Sequence, residues 1–160
     1  MERWYFPLKH VAQGDSYGCA IACVAVVAGL TYERARAEMF PRRREFVNGH
    51  ALRADEDQIR AALDRLGFKT STVTNLAVNR GPVIVSFAWN PERRGGCRHA
   101  VVWDPFARRF IDPGNANGYV AHDEGEKFLD LWKRSGWRAT VVTGRVSRRL
   151  PTVNLTAELV

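Results

Sequence analysis

A polar loop that runs into a continuous apolar stretch constrains this chain more than any other feature. Residues 13–18, Gln-Gly-Asp-Ser-Tyr-Gly, precede Cys19, and an almost unbroken apolar run over residues 20–28 follows. Small residues are interspersed with valine in this run, and Gly29 ends it. The pattern predicts a short, fully buried helix over residues 18–29 with Cys19 in its first turn.

A cysteine at the start of a helix lies in an environment that favours reactivity. Unpaired backbone N–H groups and the positive end of the helix dipole both favour the thiolate, which is the nucleophilic form. The same N–H groups, together with the side-chain amide of Gln13, could hold an oxyanion. The alternative is a packing role, because free cysteine behaves as a small hydrophobe. For Cys23, one turn further into the apolar run, packing in the core is the expected role.

Length, charge and cysteine content limit the classes of protein that remain. The chain has 160 residues, three cysteines and a net charge of +7. We expect a single domain over residues 1–150 and a C-terminal tail over 151–160. No apolar run approaches the roughly 20 residues of a membrane span, and no signal peptide is recognised. The expected location is therefore cytoplasmic, or exported without a recognisable signal peptide. Basic residues are not interleaved with aromatics, so nucleic acid is not an expected partner.

Helical patterns dominate the first part of the chain and strand patterns the later part. Further helices are predicted at 32–39, from Asp55 to Gly67, and at 123–135. Strands are predicted at 68–73, 83–89, 98–103, 108–111 and 137–143. This order indicates an α+β fold in which N-terminal helices, with the Cys19 helix among them, pack on a mostly antiparallel sheet.

A hairpin predicted around Asp104-Pro105 brings two polar residues together. If the turn is centred between residues 105 and 106, opposed positions add to 211 and His99 lies opposite Asp112. A carboxylate there can fix the tautomer of the ring and stabilise the imidazolium. Taken alone, His99 is a packed strand histidine and Asp112 a turn former. Together, downstream of Cys19, they supply the groups that thiol catalysis needs.

The other three histidines are expected to be surface residues, because the sequence gives them no comparable partner: His10, His50 and His122.

These motifs resemble the papain-like cysteine peptidases, and in particular the branch of bacteriocin-processing, double-glycine leader peptidases. The resemblance rests on the Gln13-to-Cys19 spacing with its Gln13-Gly14 and Gly18-Cys19 pairs, on the apolar helix, and on the segment from His99 to Asp112-Pro113. It covers roughly residues 10–30 and 82–114.

The resemblance implies a papain-like fold and a peptidase that cleaves a peptide or isopeptide bond through an acyl-thioester. Cys19 would be the nucleophile, His99 the general base and then acid, Asp112 the orienting acid and Gln13 the oxyanion donor. The expected partner is a peptide or protein substrate, and no cofactor is expected. We also expect Gly18, Trp89 and Arg98 to contact the substrate, with core packing as the alternative for Trp89.

Three alternatives remain open at this point. The same triad could serve a deamidase, a transglutaminase-like enzyme or an acyltransferase, because only the entering nucleophile differs. The fold could be a catalytically inactive binding domain. Cys19, Cys23, Cys97 and His99 could instead ligate zinc, although Cys23 lies among valines that offer no polar neighbours to a metal site.

Overall fold

The apolar run folds as predicted into a buried helix. A computed structural model describes residues 8–14, 18–40, 55–76, 81–92, 98–115 and 118–146. Helix α1 spans Cys19–Ala28, and all of residues 19–27 are buried. Gly29 ends the helix in the left-handed conformation with φ 68°, which glycine adopts without steric cost. The predicted tail at 151–160 lies outside the described residues.

The other helices in the described ranges are amphipathic, and two of these begin at side-chain caps. They are α2, Tyr32–Met39; α3, Glu56–Arg65; and α4, His122–Ser135. The Thr31 hydroxyl accepts a hydrogen bond from the Arg34 N–H, and Asp55 forms a capping box with Gln58. In the described part of the chain, no helix is both long and apolar enough to cross a membrane.

Five strands form one sheet in which every described pair is antiparallel. They are β1, Phe68–Val73; β2, Val83–Ala88; β3, Arg98–Asp104; β4, Arg109–Ile111; and β5, Ala139–Arg145. Their order across the sheet is β1-β5-β2-β3-β4. The α+β prediction, with a mostly antiparallel sheet, is confirmed by this architecture.

Alternating strand residues divide the core between the two faces of the sheet. Ile84 and Val102 pack with the apolar residues of α1, α2 and α3 on one face. Val85, Val101 and Phe128 belong to a second cluster on the face covered by α4. Helix α1 is therefore enclosed by α2, α3 and the sheet, which explains why its sequence is apolar on all sides.

The β3–β4 hairpin has a different register from the predicted one. Asp104 pairs with Arg109, so opposed positions add to 213 rather than 211. The carboxylate of Asp104 accepts hydrogen bonds from the N–H groups of Phe106 (2.9 Å) and Ala107 (3.2 Å) and stabilises a four-residue turn. The prediction of a turn centred between residues 105 and 106 was therefore wrong.

The error of two residues leaves the side-chain alternation unchanged. Strand side chains alternate with a period of two, so Asp112 stays on the same face as His99, although it is no longer directly opposite. Strand β4 ends at Ile111, and Asp112 begins the turn that follows. The position of Asp112 therefore depends on that turn rather than on the hydrogen-bonded ladder.

Candidate active site

Cys19 is the first residue of α1 and carries a free thiol. It is buried, with 9% of its surface exposed. The Ala22 N–H donates to the Gly18 carbonyl oxygen (2.9 Å), so the N–H groups of residues 19–21 precede the helical ladder. Gly18 has no side chain with which to cap them. Cys19 is therefore in the first turn of α1, as the sequence predicts.

The structure pairs His99 with Asp112. The Nε2 atom of His99 lies 2.7 Å from Oδ1 of Asp112, and both residues are buried. The same oxygen accepts the Gly114 N–H at 2.8 Å. Hydrogen bonds from Gly114 and His99 favour the carboxylate, and an ionised carboxylate can only accept. Nε2 therefore carries the proton, and Nδ1 is the ring nitrogen left for another partner.

The thiol of Cys19 interacts with the same imidazole. Burial alone would lower the pKa of His99, but hydrogen bonds to Asp112 and to Cys19, and the charges of both groups, raise it from 6.5 to about 9. Burial would raise the pKa of Asp112, yet hydrogen bonding and charge from His99 lower it overall. The raised pKa of His99 and the lowered pKa of Asp112 favour an imidazolium paired with a carboxylate. The Cys19 thiol is the other group that raises the pKa of His99.

Gln13 lies beside the His99–Asp112 pair. Its backbone N–H donates to the Pro113 carbonyl oxygen at 3.2 Å. A Cβ atom added to Gly114 would be 3.5 Å from Oε1 of Gln13, 3.3 Å from Oδ1 of Asp112 and 3.7 Å from Cε1 of His99. The predicted oxyanion donor and the two polar members of the predicted triad therefore surround one glycine.

Trp89 covers the imidazole from one side. Its ring stacks on His99 with centroids 5.1 Å apart and an interplanar angle of 24°, and 41% of the residue remains exposed. Phe87, which pairs with His99 across the β2–β3 ladder, contacts the ring by an edge at 5.7 Å. Trp89 thus lies at the surface next to the site, where a substrate could reach it.

The other two predicted substrate contacts have different surroundings. Gly18 is the residue immediately before α1 and is buried next to Tyr32. Arg98 begins β3 and is exposed, with its Cζ atom 4.5 Å from the centre of the Trp137 ring. A substrate contact by either residue stays a prediction.

His10 is a neighbour of the site that the sequence gave no reason to include. The residue is half-buried, and its Nε2 atom lies 3.0 Å from the main-chain oxygen of Asp112. A carbonyl oxygen only accepts, so this nitrogen is the donor. The prediction that His10 is a surface residue was wrong, because the residue is half-buried and bonds a backbone atom 102 positions away. His122 is exposed as predicted, and His50 lies outside the described residues.

Cys23 lies one turn after Cys19, is completely buried and belongs to the apolar core around α1. Burial, together with the charges of Cys19 and Asp112, raises the pKa of its thiol well above the ordinary value, so the neutral form is favoured. Within the ranges that the structure describes, no group of three or more His, Cys, Asp or Glu residues is arranged to hold a metal ion. Cys97, which the zinc alternative requires, lies outside these ranges.

The comparisons with known proteins give no assignment. No protein-family model matches the sequence, and no curated protein matches it either.

Proposed function

We propose that this chain is a papain-like cysteine peptidase that cleaves an amide bond through an acyl-thioester on Cys19. The observation that carries the proposal is the position of His99, which hydrogen-bonds Asp112 at 2.7 Å and interacts with the Cys19 thiol at the start of α1. An imidazolium next to a cysteine favours the thiolate. The antiparallel sheet, with α1 packed on it, supports a fold of the papain-like kind.

In the first half of the reaction the thiolate attacks the amide carbonyl carbon. A C–S bond forms, and the carbonyl electrons move to oxygen. Backbone N–H groups at the start of α1 and the Gln13 amide are the candidate donors to this oxyanion. The oxyanion then collapses, the C–N bond breaks, and the leaving nitrogen takes the proton that His99 carries. The amine departs and an acyl-thioester remains on Cys19.

In the second half His99 is neutral and acts as a base. It removes a proton from water as the oxygen attacks the thioester carbon. The C–S bond breaks, the carboxylic acid departs, and the thiolate and imidazolium are restored. Asp112 stabilises the imidazolium in both halves and keeps the ring in one orientation. Trp89, stacked on the ring, limits the access of water to one of its faces.

Labelling with a thiol-directed peptide vinyl sulfone tests the proposal. Wild-type protein should bind one equivalent at Cys19, located by peptide mass mapping. Cys19→Ala should remove the labelling and any peptide cleavage. Cys23→Ala is the matched control, because this thiol is buried and its raised pKa favours the unreactive neutral form. Wild-type protein that is not labelled at Cys19, or labelling that persists in Cys19→Ala, would reject the proposal.

The mass of the product identifies the group that accepts the acyl chain. Hydrolysis of a peptide bond gives two fragments, whereas deamidation and amine incorporation leave the chain intact with a different mass change. Incubation of a peptide mixture with wild-type protein, and with Cys19→Ala as a blank, therefore separates a peptidase from the related transferases.

A further inference from the structure

Two glycines at the ends of the loop before α1 pack against one aromatic ring. A Cβ atom at Gly14 would lie 2.5 Å from Cε1 of Tyr32 and 2.9 Å from its Cδ1. A Cβ atom at Gly18 would lie 2.0 Å from the Tyr32 hydroxyl oxygen and 2.9 Å from Cζ. All four distances are shorter than van der Waals contact. The ring of Tyr32 therefore excludes side chains at both positions.

Tyr32 cannot easily move away from these glycines. It is the first residue of α2, only 9% of its surface is exposed, and it belongs to the core cluster that includes α1. The residue before it, Thr31, caps the helix by accepting the Arg34 N–H at 3.2 Å. The Thr31 carbonyl oxygen also accepts the Ala35 N–H at 3.1 Å. The ring is therefore a fixed surface against which the backbone of Gly14 and of Gly18 packs.

The two glycines adjoin the two groups that would hold the oxyanion. Gln13 directly precedes Gly14, and Cys19 directly follows Gly18. We infer that Tyr32 is a positioning residue that fixes the distance between the Gln13 amide and the backbone N–H of Cys19. The ring contacts the backbone on both sides and sets the geometry of the oxyanion site. This inference rests on the proposed function.

Two reagents separate the geometry of the oxyanion site from the reactivity of the thiol. Iodoacetamide alkylates the thiolate by direct displacement of iodide, with no oxyanion. 4-Nitrophenyl acetate acylates the same sulfur through a tetrahedral oxyanion and releases 4-nitrophenolate, leaving an acetyl thioester. The ratio of the acylation to the alkylation rate constant, corrected with Cys19→Ala, therefore reports stabilisation of the oxyanion. A general loss of structure is detected separately, by urea unfolding of each variant.

The Tyr32 atom nearest to the added Cβ is the hydroxyl oxygen at Gly18 and a ring carbon at Gly14, so the two alanine variants should respond differently to Tyr32→Phe. Gly18→Ala and Gly14→Ala should each lower the ratio about tenfold to a hundredfold, because displacement of a donor by about 1 Å has an effect of that order. Adding Tyr32→Phe should restore part of the ratio in Gly18→Ala, because it removes the hydroxyl oxygen at 2.0 Å and leaves Cζ, at 2.9 Å, as the nearest atom. It should not restore Gly14→Ala, where ring carbons that phenylalanine retains conflict with the new Cβ.

Gly144→Ala is the matched control, because a Cβ atom there meets nothing within 4 Å. It should leave the ratio unchanged. Three results would overturn the inference: an unchanged ratio in Gly18→Ala, independent effects of Gly18→Ala and Tyr32→Phe, or equal rescue of both glycine variants. Each variant is first checked by urea unfolding, and Tyr32→Phe keeps the buried ring. If neither reagent modifies Cys19 in wild-type protein, the proposed function itself is rejected.

Discussion

The His99–Asp112 pair should make the stability of the fold depend on pH in the neutral to alkaline range. The pKa of His99 is raised from 6.5 to about 9 in the folded chain. Because the folded value is the higher one, this group stabilises the fold fully below about pH 6.5. The contribution is lost as the pH rises towards 9. At about 1.4 kcal/mol per pKa unit, the shift corresponds to about 3 kcal/mol of unfolding free energy.

Urea unfolding of wild-type protein and His99→Gln, followed by tryptophan fluorescence at about pH 6 and about pH 9.5, measures this contribution. Wild-type protein should lose about 3 kcal/mol more than the variant between the two conditions. Subtracting the loss of unfolding free energy in His99→Gln from that in wild-type protein removes the contribution of other groups that titrate in this range. The His99 ring resonances, followed by NMR, should titrate near pH 9. Equal losses in both proteins, together with a ring that titrates near 6.5, would refute the reasoning.

Substitutions at three further positions test the surroundings of the His99–Asp112 pair. Asp112→Ala should slow labelling of the Cys19 thiol by roughly 10²-fold, and Asp112→Asn by less, because the amide oxygen can still accept from His99. Equal rates in wild-type protein and both variants would contradict the proposed orienting role of Asp112. His10→Ala should lower the unfolding free energy by about 1 kcal/mol through loss of one hydrogen bond, whereas the exposed control His122→Ala should not. Trp89→Ala should lower it by about 1 kcal/mol through loss of the stacked pair, and a change within error would show that the stack does not stabilise the fold.

Short-range patterns predicted the elements of this fold well. Helix α2 begins and ends at the predicted residues, and so does strand β1. The ends of α1 follow from the glycines at positions 18 and 29, because one lacks a capping side chain and the other accepts the left-handed conformation. Such features depend on neighbours within one or two turns, which is the range over which a single sequence is informative.

Contacts between distant segments were beyond the reach of these patterns. His10 and Asp112 meet through a backbone oxygen, and a backbone atom leaves no mark on the residue type at position 112. The contacts of Tyr32 with Gly14 and Gly18 also involve backbone. The glycines were visible in the sequence, but the ring that requires them begins another helix. Only the packing of α1 against α2 brings the two together.

His99 and Asp112 pair as predicted although the predicted register of the hairpin was wrong, and this has a physical reason. A shift of two residues keeps every side chain on its face, so the error changed which residue lies opposite but not which side chains can meet. Asp112 is not directly opposite His99, and its carboxylate reaches the ring because the chain leaves the ladder after Ile111. In the turn that follows, the Gly114 N–H donates to this carboxylate. The segment at 8–14 bonds to this turn from His10 and Gln13. The carboxylate of Asp112 is therefore positioned by the turn and by this early segment, while the sheet positions the imidazole of His99.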